Sequence, residues 1–454
     1  LRYPQRYKMH WRLWNGGTAR VLLWGDPEYV RRFAASSHLY DGDGFEVNEP
    51  LCTKMEAQPH DARPFELLKP PYRYYDHEFE RYWHFFQVFG RYGYNPDTPS
   101  DVWQHEFDAR FGAEAAPFVA RALHRASWVL PRIVASCYPY GLFPMTRGWA
   151  EKQRLGDLPA YAKAEGSDIA QFVSFDEEAQ DLIEHRETAR IRPLETSRWF
   201  DRVADEIDSD IAAAEKRIGE HRSKEYESTL VDLKILANLA RFHARRIPAA
   251  LSYRLYERTK DLHALVAAIE HERRAAEAWR QLVAAAGDVY ADDMQMGLRG
   301  AGLCGHWKDE LTALERGLER LEHQWQTSSP IFANRVAPEL PLREPAGDHE
   351  PPTVIHQPVR SAAVAVTAAV RDPSGVKWVR LRFRGVNQQL DYQTITMSPM
   401  GDKDRYLALI PAEQIDPKWD LMYFIEVMDS AGNGKIYPDL DRETPYIVVR
   451  LGRS

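Results

Sequence analysis

The sequence holds only three cysteines in 454 residues, Cys52, Cys137 and Cys304. They lie far apart and form no CxxC pair, so they support neither a disulfide framework nor a zinc site. There is no run of about 18 apolar residues, the length a membrane-spanning helix needs. Basic charge is not in excess. A net charge of −8 at pH 7 leaves no electrostatic footprint for nucleic acid. Internal repeats and low-complexity tracts are lacking, no spacing of His, Cys, Asp or Glu matches a known metal motif, and nothing calls for a cofactor. The chain opens on Leu1, with neither an initiating Met nor a signal-peptide pattern. The expectation is a processed or excerpted chain, soluble, and secreted or periplasmic if residues upstream carry a signal peptide.

Aromatic residues, by contrast, are abundant: 13 Trp, 22 Tyr and 18 Phe. Most are needed as bulky core filling. The Trp and Tyr that fall in polar, Gly/Pro-rich turns suit a platform for a ring-shaped polar ligand. The length predicts two to four domains.

Residues 8–50 read as two strand–helix steps of a barrel. A strand over 8–14 ends at the turn Trp14-Asn15-Gly16-Gly17, and the apolar run 20–25 reads as a second strand. Asp26-Pro27-Glu28 has the cap, proline and first-turn acid of a helix start. Asp41-Gly42-Asp43-Gly44 breaks that helix, and a further strand runs to Val47. This is βαβ spacing, hence parallel strands. Residues 76–92 read as an aromatic helix with Phe79, Trp83, Phe86 and Phe89 on one face. From about 98 to 326 the pattern is helical: Ser174 and Glu177 form a capping box, a helix follows Thr196/Ser197, and amphipathic runs cover 225–247 and 259–286 on either side of Pro248. Two loops interrupt it, the aromatic 137–149 and the glycine-rich 290–307. Each reads as a packing or interface loop, including one between copies of the chain in a homo-oligomer; 137–149 is alternatively a lid. After a Pro-rich linker the period changes to two. Strands are predicted over 363–370, 377–386, 392–397, 406–410, 421–428 and 446–451, the spacing of an immunoglobulin- or fibronectin-III-like β-sandwich. The predicted fold class is therefore a multidomain α/β + α + β chain: the C-terminal part of a (β/α)8 barrel over 1–95, an α-helical domain over 96–330, a linker over 331–358 and a sandwich over 359–454.

Glu46 and Glu49 stand three apart at a strand end. Glycoside hydrolysis needs two carboxyls, one protonated and one ionised, and barrel enzymes place such groups at the C-terminal ends of strands. The competing reading is a turn cap or a pair with Lys54. Trp11, Arg12, Trp14 and Asn15 are candidates to stack on and hydrogen-bond a sugar; one face of that strand must instead be core. Arg12 would match a carboxylated sugar. Arg73 and Asp76 are candidates for the same rim, against the reading of a structural loop salt bridge. Asp26 reads as an N-cap alone. Asp292, Asp293, His306 and Asp309 match no metal motif, and the turn 429–434 reads as a hairpin rather than a calcium loop.

The run WGDPEYVRRF, then GFEVNEP, then FQVFGRYGYNPDTPSDVW resembles the end of the catalytic barrel in α-glucuronidase-like glycoside hydrolases of the family 67 and 115 type, with Phe89 to Pro96 standing where that group carries its FGR…NP segment. The resemblance covers about residues 8–112. It implies a carbohydrate-active enzyme with a TIM barrel, then helices, then a β domain. About 95 residues precede the helical region, whereas a full barrel takes about 250, so the earlier strands have no counterpart. The leading expectation is a glycoside hydrolase acting on poly- or oligosaccharide, acidic if Arg12 meets the ligand. The alternatives are a non-catalytic carbohydrate-binding or interaction protein and a polysaccharide lyase, which would need Tyr, His or Arg in a helical groove.

Overall fold

The computed structural model describes residues 7–13, 22–38, 42–47, 66–137, 157–295, 304–328, 336–342, 350–357, 365–401 and 404–451. The first region holds one strand–helix–strand unit: β1 (Met9–Leu13), α1 (Pro27–Ser36) and β2 (Gly42–Val47). The strands pair in parallel, with Arg12 opposite Glu46 and Leu13 opposite Val47. Leu13, Phe45 and Val47 pack toward the helices, and the Phe45 ring meets Phe33 edge-on at 4.8 Å. Arg12 and Glu46 occupy the opposite face.

The predicted strand over 20–25 is not formed where it is described. Residues 22–25 run as irregular chain because side chains take up its backbone groups. Leu23 N donates to Asp232 Oδ2 at 3.3 Å, Gly25 N to Ser127 Oγ at 3.0 Å, and Gly25 O meets His84 Nε2 at 3.1 Å. A buried backbone satisfied this way has no ladder left to join.

Among the described residues ten helices follow: α2 (Glu78–Arg81), α3 (Trp83–Tyr94), α4 (Asp101–Phe111), α5 (Ala116–Ala126), α6 (Val129–Ser136), α7 (Leu158–Tyr161), α8 (Phe175–Glu184), α9 (Pro193–Glu215), α10 (Lys224–Thr259) and α11 (Leu262–Ala286). After the short pair β3 (Met294–Gln295) and β4 (Cys304–Gly305) comes α12 (Trp307–Thr327). The face of α3 that is buried carries His84, Phe85, Val88, Phe89 and Tyr92, whereas Phe79 and Phe86 are exposed, a shift of face from the sequence reading. Ser174 caps α8 by accepting from Glu177 N at 3.1 Å, as predicted. α9 begins at Pro193, earlier than Thr196/Ser197 suggest. α10 is the spine, 36 residues and about 54 Å long. It runs straight through Pro248 instead of ending there. Proline removes the N–H that would bond the carbonyl four residues back; Ser197 Oγ donates to that carbonyl, Ala244 O, at 2.7 Å.

The largest buried cluster extends from Leu22 to Leu321 with no break at the predicted 95/96 boundary. Inside it, Arg81, Asp232 and Tyr290 form a buried network. Arg81 Nη2 donates to Asp232 at 2.6 Å, and Tyr290 donates to the same carboxylate.

The described residues of the C-terminal region form two antiparallel sheets. One orders β5 (Thr353–Ile355), β6 (Ala365–Arg371), β10 (Arg405–Leu409) and β9 (Ser398–Pro399); the other orders β12 (Gly434–Tyr437), β11 (Leu421–Asp429), β7 (Val376–Gly385) and β8 (Gln393–Thr396), with β13 (Ile447–Val449) also on β11. Val366, Val370, Leu381, Phe383, Tyr423 and Ile425 from both sheets share one core. The turn 429–434 is a β11–β12 hairpin. Asp429 Oδ1 accepts from Asn433 N at 2.7 Å.

All nine residues of β11 are buried. Its second face lies on the helical region: Phe424 and Ile436 cluster with Ala189. A Cβ on Gly434 would stand 2.7 Å from Ala189 Cα, so this approach requires glycine. Lys377 Nζ binds Glu187 at 2.8 Å, and Tyr446 donates to Asp168 across the same boundary. Among the described residues, no helix is long and apolar enough to cross a membrane.

Candidate functional site

A cavity of about 360 Å³ opens where the three regions meet. Trp24, Asp26 and Tyr29 come from the start of α1, and Phe85 and Phe89 from α3. Trp128 and Arg132 come from the α5–α6 corner and α6, Trp199 from α9, and Leu440 and Asp441 from the β region. Trp24 lies nearly parallel to Phe89 at 5.4 Å and takes Phe85 and Tyr29 on its edges. Its Nε1–H donates to Ser127 O at 3.0 Å. The segment Trp24-Gly25-Asp26 is thus fixed from both sides by the corner of α5 and α6 and by α3.

Asp26 is 3 % exposed. Its oxygens accept from Glu28 N at 3.1 Å, Tyr29 N at 3.2 Å and Trp128 Nε1. Burial pushes its carboxyl up to about 6, against the pull of Trp128 and the two backbone N–H groups. So Asp26 is the predicted N-cap and is also a carboxyl that changes protonation near neutral pH. Burial likewise pushes the Tyr29 hydroxyl up to about 12. Arg132 is 8 % exposed and lies between the rings of Phe172 and Trp199, 5.1 and 4.8 Å from their centroids. Its Nη1 binds Asp441 Oδ1 at 2.8 Å, and Arg32 Nη1 reaches Leu440 O at 3.4 Å. These two contacts hold the β-region loop in the cavity wall.

Behind Asp26, His84 and His124 stack with ring centroids 5.4 Å apart and Nε2 atoms at 3.2 Å. Burial keeps both neutral, His84 well below its ordinary pKa and His124 at about 4. A Cβ on Gly25 would come within 2.1 Å of the His84 ring.

The predicted site residues fall elsewhere. Arg12 and Glu46 pair with each other at 3.1 Å on the solvent side of the strand pair, each side chain more than half exposed. Trp11 is half-buried on β1. Trp14, Asn15 and Glu49 lie outside the described residues, as do Cys52 and the loop 138–149. Arg73 ties its own loop, donating to Glu66 at 2.8 Å, Tyr75 O at 3.0 Å and Asp76 O at 3.3 Å, while Asp76 is exposed. None of the described ones lines the cavity. Around the glycine-rich loop, Asp292 pairs with Lys69 at 3.3 Å and Asp309 closes a capping box with His306. No group of three or more His, Cys, Asp or Glu among the described residues is placed to hold a metal ion. The cavity residues Trp24, Trp128, Arg132, Trp199 and Asp441 share no motif. They come from regions hundreds of residues apart, and the one local signal was the WGDP string.

No protein-family model matches the chain, and no curated protein matches it. Among solved structures, a GH138 enzyme targeting pectin rhamnogalacturonan II superposes with a TM-score of 0.58 at 13 % identity, over 70 % of this chain. The likeness is one of fold. The chain spans 48 % of that structure's length.

Proposed function

We propose that this chain forms part of a glycoside hydrolase, with the aromatic cavity receiving a sugar ring and Asp26 serving as the protonated carboxyl. The observation that carries the reading is Asp26 itself: a buried carboxyl held to about 6, facing a cavity walled by Trp24, Trp128 and Trp199. A general acid must keep its proton near working pH, and burial supplies that condition. Indole faces give sugar rings an apolar floor. The fold likeness to a GH138 enzyme supports the same class.

In this reading the β1–α1–β2 unit is the late part of a (β/α)8 barrel. The helix-covered face of the strand pair carries Leu13, Phe45 and Val47. The other face, with Arg12 and Glu46, would then look into the barrel. Two-carboxylate hydrolysis needs a second, ionised group; Glu46 or Glu49 is proposed for it, with Arg12, Trp14, Asn15, Arg73 and Asp76 as rim groups for a saccharide, acidic where Arg12 meets it, while Trp11, opposite Phe45, falls on the helix-covered face.

The test is hydrolysis of pectic oligosaccharides by the full-length protein that contains this chain. Asp26→Asn is expected to lose roughly 10²–10⁴-fold in rate, and one of Glu46→Gln and Glu49→Gln a comparable factor. Unchanged turnover in Asp26→Asn removes Asp26 from the chemistry. No release from any glycoside by the wild-type protein overturns the hydrolase reading.

A further inference from the structure

α3 carries two aromatic rings on the outside of the protein. Phe86 is 43 % exposed and Tyr94 is 93 % exposed. They stand two helical turns apart, about 12 Å along the axis, with Gly90 midway between them. The three form one flank of the helix, at an open groove of about 600 Å³ that Gln87 and Arg91 also line. The residues that α3 buries, His84, Phe85, Val88, Phe89 and Tyr92, lie on its other faces. Single exposed apolar residues are ordinary, but aromatics aligned on one groove mark a contact surface.

Gly90 is an independent observation. Glycine inside a helix weakens it relative to alanine, so its presence calls for a neighbour that needs the space. Gly93 has such a neighbour: a Cβ there would stand 3.2 Å from the Phe45 ring of β2. A Cβ on Gly90 would meet nothing within 4 Å. The close approach that a bare helix surface permits at this position is made by nothing among the described residues.

The strand beside this flank is open as well. Gly93 follows Phe86 by two turns, borders it on the helix surface, and faces β2. Among the described residues β2 pairs with β1 alone, in parallel. Parallel strands belong to sheets covered on both faces, and here one edge of β2 has no ladder. On the other side of α3, Trp24 at the start of α1 packs on Phe85 and Phe89. A parallel strand added to the edge of β2 would, by the right-handed βα rule, bring its helix to the side of α3 away from α1.

We propose that the Phe86–Gly90–Tyr94 flank and the edge of β2 form a docking seam for a further βα unit of the same polypeptide, its strand parallel to β2 and its helix seated over Gly90. This rests on the barrel reading above and adds the surface on which that barrel closes. This chain spans 48 % of the GH138 structure that shares its fold, so the fold seen there holds about as much chain again with which to fill the seam. Ridges at Phe86 and Tyr94 with a groove between them are the surface that a packed helix meets.

The experiment is hydroxyl-radical footprinting, read residue by residue, on this 454-residue chain and on the full-length protein that contains it. Phe86 and Tyr94 are expected to react about tenfold more slowly in the full-length protein, shielded as side chains in a packed interface are. Trp325, 45 % exposed near the end of α12, is the control and should react alike in both. Gly90→Glu should leave the melting temperature of this chain unchanged, because the position is open, and lower that of the full-length protein. Equal reactivity of Tyr94 in the two proteins overturns the seam, and so does a full-length polypeptide with no further βα unit. Protection of Tyr94 that grows with the concentration of this chain alone assigns the flank to a second copy and overturns it too. None of these readouts uses activity, so the hydrolase proposal stands or falls separately, on Asp26→Asn.

Discussion

The hydroxyl of Ser197 donates a 2.7 Å hydrogen bond to the carbonyl of Ala244, the acceptor that Pro248 deprives of its helical partner. A side chain of α9 thereby repairs the defect that lets α10 continue for 36 residues. Ser197→Ala should cost about 1–3 kcal/mol in urea unfolding, since it leaves a buried carbonyl unpaired. Pro248→Ala restores the missing N–H, so the double variant should recover most of that loss. A double-mutant cycle with no coupling would show that the bond is incidental.

The Pro248 case also shows where sequence reading stops. A proline inside a helical pattern ends or kinks it on local grounds, and here a tertiary partner overrides the local rule. The described part of that run, 22–25, departs for a similar reason: Leu22 and Trp24 are buried, but Asp232, Ser127 and His84 supply the backbone partners that a neighbouring strand would have supplied. Local signals did better where the partner is local. Asp26 and Ser174 cap their helices, and the alternation from about 363 onward becomes β6, β7, β8, β10, β11 and β13, close to the predicted ranges. The strands β5, β9 and β12 have no counterpart among the predicted ranges. Cavity residues from α1, α6, α9 and the loop at 440–441 meet only in three dimensions, so no spacing could have announced them.

Gly25 leaves no room for a side chain. Gly25→Ala would place a Cβ 2.1 Å from the His84 ring, forcing the Trp24–Asp26 segment or α3 to move. The expected loss is about 2–3 kcal/mol of stability, with quenched or shifted tryptophan fluorescence as Trp24 leaves Phe89. Wild-type stability and spectrum in this variant would show that the packing there is loose.

Acid should destabilise the protein through its buried histidines. Burial holds His124 and His306 at about 4 and His243 at about 3, and His84 well below its ordinary value. An unfolded histidine binds its proton near 6.5, so between about 6.5 and 4 the unfolded state holds more protons and stability falls as pH falls. The slope is on the order of 1 kcal/mol per pH unit for each such group. Urea midpoints from pH 7 to pH 4.5 check this, and His124→Phe should flatten the curve. A flat wild-type curve contradicts it.

Asp26 works in the opposite direction over the same range. Its folded carboxyl keeps its proton to about 6, while the unfolded one releases it near 3.8. The folded state therefore holds the extra proton, and this group's contribution declines as pH rises from about 4 to 6, by on the order of 3 kcal/mol. Asp26→Asn retains a good N-cap and removes the titration. Relative to wild type it should gain stability from pH 4 to pH 7. A constant difference between the two across that range would mean that the carboxyl titrates normally.

The two-sided burial of β11 has a consequence for how this architecture travels between proteins. A β domain that binds sugar as a free-standing accessory can be moved from one enzyme to another, because its outer sheet face is already wet. Here that face is a bed fitted to residues 168–190, down to the glycine at 434 that admits Ala189. The loop at 440–441 inherits its place in the cavity wall from that fit. Such a region cannot be transplanted without its helical seat. Changes in the shape of the cavity are therefore expected to arise from substitutions along this seam and not from exchange of whole domains.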